Sequence, residues 1–168
     1  QFYCDMDGVL CNFIDAATNI VNEALEQREK YQLVEPEFYK IILSAIEEVG
    51  SDKIDKNDLR IGTPHHNLRE VMKRMCRRNE EFWANLEWNK GGQVIWAAIK
   101  DQNPYILSAP MGKSKESMAG KYTMLDDRQG VLIDDMWYNV KPYRKHGGEA
   151  IYHNNMRTTM GLIKRYAE

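Results

Sequence analysis

Apolar and polar positions change their rhythm twice along the chain. Phe2–Cys4 is a short apolar run that stops abruptly at Asp5 and Asp7. From Phe13 the apolar residues recur at helical spacing, with Phe13, Ile14, Ala17, Ile20, Val21, Ala24 and Leu25 on one face of a helix running towards Tyr31. Pro36 interrupts that pattern. EFYKIILSAIEEVG then predicts a second helix, stopped by Gly50 in the position glycine favours just past a helix end. SDKIDKNDLRIGTP is polar and turn-rich and reads as loop. A third helix is expected from about Asn67 to Asn79, carrying Val71, Met72 and Met75 inward, before the cluster Phe82, Trp83, Leu86 and Trp88. GGQVIWAAIKD reads as a helix starting after a glycine pair.

The rhythm then shifts to short, continuous apolar runs. PYILSAP, GVLIDD and GGEAIYHN have the profile of buried strands. SKESMAGKYTMLDD is expected to be a helix with Ser114 as its N-cap, and MRTTMGLIKRYAE closes as another. Such alternation predicts a parallel sheet with helices on its faces, which the opening strand must join. Residues 13–90 are then mostly helical and too long for a crossover. They read as a cap inserted after the first strand, with 1–12 and 91–168 forming the core.

Composition narrows the picture without redirecting it. A chain of 168 residues with 43% apolar content can bury one core with a small insertion. A formal net charge of −2 gives no general drive towards nucleic acid or membrane surfaces. No apolar run approaches the roughly 18 residues of a membrane span. The chain enters a strand almost at once, so no signal or transit peptide is expected. The three cysteines, Cys4, Cys11 and Cys76, show no CxxC spacing and read as reduced, packed thiols, which implies a cytoplasmic setting.

The candidate chemistry lies at the strand tips. Three expected strands end in DMDG, SAP and DD, and ligands bind in the crevice outside those ends of an open parallel sheet. Asp5, Asp7, Ser108, Asp134 and Asp135 are thereby drawn towards one point. Asp5 and Asp7, two apart on an extended strand, face the same side, and their repulsion calls for a cation or a shared proton between them. Carboxylates in this number fit a hard divalent cation such as Mg²⁺. The alternative is a set of solvated acidic turns.

DMDGV resembles the first motif of the haloacid-dehalogenase-like (HAD-like) phosphohydrolases. Ser108 is similar to their hydroxyl motif, Lys121 to their lysine motif and IDD, Ile133 to Asp135, to their acidic motif, all in the family's order. A finer resemblance is to the 5′(3′)-deoxyribonucleotidase branch, carried by DMDGVL with Phe13 shortly after, by Pro110, and by the AGKY that holds Lys121. The likeness covers roughly 1–13 and 104–139, with a looser echo in FWANLEW. It implies a doubly wound α/β core of HAD-like Rossmannoid type with a helical cap. It also implies Asp5 as nucleophile and Asp7 as general acid and base. Mg²⁺ would be held by the Asp5 side chain, the Asp7 carbonyl and Asp134, with Asp135 directly behind or through water. Ser108, Lys121 and Gly8 would bind the phosphate.

For the substrate pocket the candidates are Phe13, Phe82, Trp83 and Trp88, which could stack on a base or simply pack inside the cap, and Lys113, which could reach the phosphate. The basic run Lys73 to Arg78 could draw anions or be a solvated helix face. The expectation is therefore a cytoplasmic, Mg²⁺-dependent phosphomonoesterase for nucleoside monophosphates, with no membrane or stable nucleic-acid partner; a homodimer is compatible with it. One rival keeps the chemistry with a sugar phosphate or other small phosphoester. A rival of another class is a catalytically silent phosphate-binding module.

Overall fold

The computed structural model of the chain describes residues 1–60, 62–77, 79–107 and 130–167. The chain divides into two compact units, Gln1–Asn12 with Glu87–Glu168 and Phe13–Leu86.

Phe13–Leu86 is helical. Its elements are α1 (Phe13–Glu26), α2 (Tyr31–Val34), α3 (Pro36–Val49), α4 (His66–Arg77) and α5 (Glu80–Ala84). Helix α1 ends at Glu26, earlier than the sequence pattern suggests. Beyond Leu25 no apolar residue remains to bury before Tyr31, so the chain tightens into a 3₁₀ turn at Arg28–Lys30. Pro36 begins α3 rather than merely interrupting it, because the N–H it lacks has no helical partner at that position. Gly50 ends α3 at φ 74°, its N–H donating to the Ile46 carbonyl at 2.8 Å. The Glu48 carboxylate accepts from the Asn67 and Leu68 N–H groups at 2.9 and 3.3 Å, so the last turn of α3 caps the first turn of α4. Ala17, Val21, Leu25, Phe38, Ile42, Leu68 and Val71 form the buried core of this unit.

Among the described residues the other unit holds a four-stranded, all-parallel sheet in the order β2-β1-β3-β4. The strands are β1 (Phe2–Asp5), β2 (Tyr105–Leu107), β3 (Val131–Asp134) and β4 (Glu149–Tyr152). Among the described residues the helices α6 (Gly92–Ile99), α7 (Trp137–Lys145) and α8 (Met156–Ala167) accompany them. Alternation along the strands sorts the core into two layers. Phe2, Cys4, Ile133 and Ile151 pack with Ile95 and Ile99 of α6 and Ile163 of α8. Tyr3, Leu132 and Ala150 face the other way and pack with Val140 and Tyr143 of α7. Fully burying such side chains contributes about 1.5–3 kcal/mol each. Two of the crossovers run in opposite directions from the sheet centre, β1 through α6 to β2 and β3 through α7 to β4. Right-handed connections must then use opposite faces, as they do here.

The segment between β3 and β4, to which the sequence pattern above assigns no element, is the helix α7. Its pattern is hard to read because Pro142 lies inside it and only Val140 and Tyr143 are buried. The helix expected over 114–127, with its cap Ser114, lies outside the described residues. So do Ser108, Pro110, Lys113 and Lys121. Among the described residues no helix is long and apolar enough to cross a membrane.

Candidate functional site

The strand order reverses between β1 and β3, so the crevice at their C-terminal ends is the switch point of the sheet. Register decides what lies there. Tyr3 pairs with Leu132 and Cys4 with Ile133, and one more step brings Asp5 level with Asp134. Both belong to the layer of Tyr3 and Leu132, so their side chains leave the sheet on the same side. Asp135, just past the end of β3, adds a third carboxylate. Asp5, Asp134 and Asp135 offer oxygens that all lie within 4.8 Å of one another.

Asp134 is 3% exposed and held on both oxygens. Oδ1 accepts the Met136 N–H at 2.7 Å and Oδ2 accepts the Asn139 side-chain amide at 2.9 Å. The start of α7 is thus folded onto the carboxylate that precedes it. Asp5 Oδ1 accepts the Met6 N–H at 3.1 Å. Asp135 is less well served, because its buried Oδ1 has no hydrogen-bond partner among the described residues. Burial first, then the charges of Asp134 and Asp7, push its carboxyl up to about 6 from an ordinary 3.8. Tyr138, in the first turn of α7, stands in the same field: partial burial, then Asp134, Asp135 and Asp5, raise its phenol above the usual range.

The loop after β1 is tightly closed. Leu10 and Cys11 donate their N–H groups to the Met6 carbonyl at 3.0 and 2.8 Å, and the Gly8 N–H donates to the Cys11 carbonyl at 3.0 Å. The Met6 N–H donates in turn to the Leu107 carbonyl at 2.8 Å, tying the loop to the end of β2. Gly8 has φ 84°, and a Cβ there would run into the Asp135 carboxylate. Gly8→Ala is therefore expected to lower stability by about 1–2 kcal/mol in urea unfolding, from backbone strain and a displaced Asp135. A variant as stable as the parent would show that Asp135 yields freely.

The expected pocket residues divide between the units. Phe13, Phe82 and Trp83 form one cluster in Phe13–Leu86, with Phe13 stacked on Trp83 at 5.7 Å and Phe82 edge-on to both. The Trp83 Nε1–H donates to the Cys76 carbonyl at 2.8 Å. Trp88 belongs to the sheet-bearing unit, where it bridges to Cys11 and stays exposed. In the basic run, Lys73 pairs with Glu70 at 2.6 Å and Arg74 with Glu35 at 2.5 Å. The cysteines are free thiols. Burial, with the charges of Asp5 and Asp134, pushes the Cys4 thiol up to about 12, which keeps it protonated beside the carboxylates.

Asn139 and Asn89, which donates its side-chain amide to the Gly8 carbonyl, are site residues that sequence reasoning missed, as is Tyr138. Asn139 carried a weak signal, a polar residue one helical turn beyond the aspartate pair. Comparison with known proteins finds no family model that matches the chain and no match among curated proteins.

Proposed function

We propose that this protein is a Mg²⁺-dependent phosphomonoesterase of HAD-like type, acting in the cytoplasm on nucleoside monophosphates. The observation that supports it most is the convergence of the Asp5, Asp134 and Asp135 carboxylates at the switch point of a parallel sheet. The donor set fits the cation: it is all oxygen, and one buried oxygen of Asp135 lacks a hydrogen-bond partner among the described residues. Asp5, Asp134, Asp135 and the Asp7 carbonyl would hold Mg²⁺, which supplies the positive charge that lets one anion approach another.

The chain's own residues then do the following. An Asp5 carboxylate oxygen bonds to phosphorus as the ester P–O bond breaks, and Asp7 gives its proton to the departing oxygen. Asp7, now a base, takes a proton from water, whose oxygen displaces Asp5 and releases inorganic phosphate. Met6 N–H orients Asp5, while Asn139 and Met136 N–H orient Asp134, so little reorganisation is needed during reaction. By resemblance, Ser108 and Lys121 neutralise the phosphoryl oxygens.

A smaller phosphoester is the second reading. It is favoured by the aromatic cluster, where Phe13, Phe82 and Trp83 pack on one another instead of presenting separate faces. The test is phosphate release from a panel of nucleotides and sugar phosphates, with Mg²⁺ and with EDTA. Selective release from deoxynucleoside monophosphates, falling to background in EDTA, is expected. Release from sugar phosphates alone would keep the chemistry and replace the substrate. Silence towards the whole panel would sink the phosphatase reading in favour of a binding module.

A further inference from the structure

The loop that carries Asp7 closes on itself through the bonds of Leu10 and Cys11 to the Met6 carbonyl and of Gly8 to the Cys11 carbonyl, yet one group at its centre is served from elsewhere. The Gly8 N–H is taken by Cys11, but the Gly8 carbonyl accepts from the side chain of Asn89, 81 residues further along the chain. Asn89 is itself fixed. Its N–H donates to the Leu10 carbonyl at 2.7 Å, and its Oδ1 accepts the Lys90 N–H at 2.9 Å. That second bond assigns the amide its orientation, because it leaves Nδ2 as the atom facing Gly8. Around it the contact is continuous. Asn12 N–H donates to the Glu87 carbonyl at 2.9 Å, Cys11 bridges to Trp88, and a Cβ on Gly92 would meet the Leu10 carbonyl.

Gly8 is where this loop would give way, since a glycine at φ 84° has no side chain to resist rotation. Cys11 fixes the peptide group on its Asp7 side and Asn89 fixes the one on its Val9 side. The planes flanking Asp7 are held within the loop, through the Met6 carbonyl and the Gly8 N–H, while the Asn89 donor anchors the next plane, beyond Gly8, from outside the loop. Without that donor the Gly8–Val9 plane loses its anchor, and rotation at Gly8 loosens the loop bonds that orient Asp7. The geometry points to Asn89 as a positioning residue that holds Asp7 in place for proton transfer. This inference rests on the phosphomonoesterase reading above for the role of Asp7, but the contact itself does not.

Asn89→Asp is the sharp test, because it keeps size and the Lys90 contact while replacing the donor to Gly8 with an acceptor. Two readouts separate the claims. In steady-state hydrolysis of the best panel substrate, kcat should fall about 10- to 100-fold with KM within about twofold, since misplacing a reacting group costs turnover rather than ground-state binding. In metal-free protein, amide hydrogen exchange at Gly8 should quicken about tenfold or more while Ile133 in β3 is unchanged. If the aspartate variant does not fold, Asn89→Ala gives the same comparison without the charge. Unchanged exchange at Gly8 would overturn the holding contact. Quickened exchange with kcat within about twofold of the parent would overturn the positioning role and leave the phosphatase intact. A parent protein that hydrolyses nothing would overturn the role assigned to Asp7, and with it the positioning claim, while exchange still decides whether Asn89 holds the loop.

Discussion

Asp5→Asn is expected to abolish turnover, lowering kcat on the order of 10⁴-fold or more, while the protein remains folded. The amide is a poor nucleophile, so in the proposed mechanism the first bond to phosphorus would not form. The fold should tolerate the change for a specific reason: the asparagine carbonyl can still accept the Met6 N–H that Asp5 Oδ1 accepts now. Removing one of three carboxylates that lie within 4.8 Å also relieves repulsion in the metal-free protein. Phosphate release, paired with circular dichroism and thermal melting, checks both halves. Near-parental activity in Asp5→Asn would rule out the covalent mechanism, whichever substrate is used.

Asp135→Asn is expected to stabilise the metal-free protein at neutral pH while weakening its response to divalent cations. The Asp135 carboxyl titrates near 6 in the folded chain against 3.8 ordinarily, so the folded state binds this proton more tightly than the unfolded state does. The sign follows. Its contribution to stability is fully present below about pH 4 and is lost as pH rises through about 6. In full, the rise would correspond to about 3 kcal/mol. The carboxylate is partly open to solvent, and about 1–2 kcal/mol is the reasonable share. Melting in EDTA at pH 4.5 and 7.5 should therefore show a pH-dependent loss in the parent that the asparagine variant lacks. Mg²⁺ should raise the parent's melting temperature at pH 7.5 and do much less for the variant. A variant less stable than the parent in EDTA at pH 7.5 would show that the ionised Asp135 is already well accommodated without metal.

Such tension is common where a fold carries a site. A carboxylate cluster placed at the end of a buried strand costs stability that the hydrophobic layers on both sides of the sheet must offset. Gly8 is part of the same arrangement. Only a residue without a side chain lets the Asp135 carboxylate come so close to the β1 loop.

What could be read without the fold was whatever depends on neighbours in sequence. Apolar runs stopping at Asp5, Asp7, Asp134 and Asp135, the proline opening and glycine closing α3, and the alternation that implies a parallel sheet are all local patterns. Hydrophobic period and backbone preference act over a few residues, and so they leave their mark there. Where the apolar stripe was thin, as in α7 with its internal Pro142, the pattern fell silent although the helix forms by packing Val140 and Tyr143 onto the sheet.

The remainder was decided by pairing at a distance. That Asp5 comes level with Asp134 follows from the register of β1 on β3, which is set by how the two inner layers interlock and not by either strand alone. That Asn89 meets Gly8 follows from the return of the chain alongside its own first loop, and a lone asparagine in a polar stretch carries no sign of it. The sequence by itself determined which residues could carry charge at a strand end. Tertiary structure decided which of them meet, because distance between side chains is a property of the packed sheet and not of spacing along the chain.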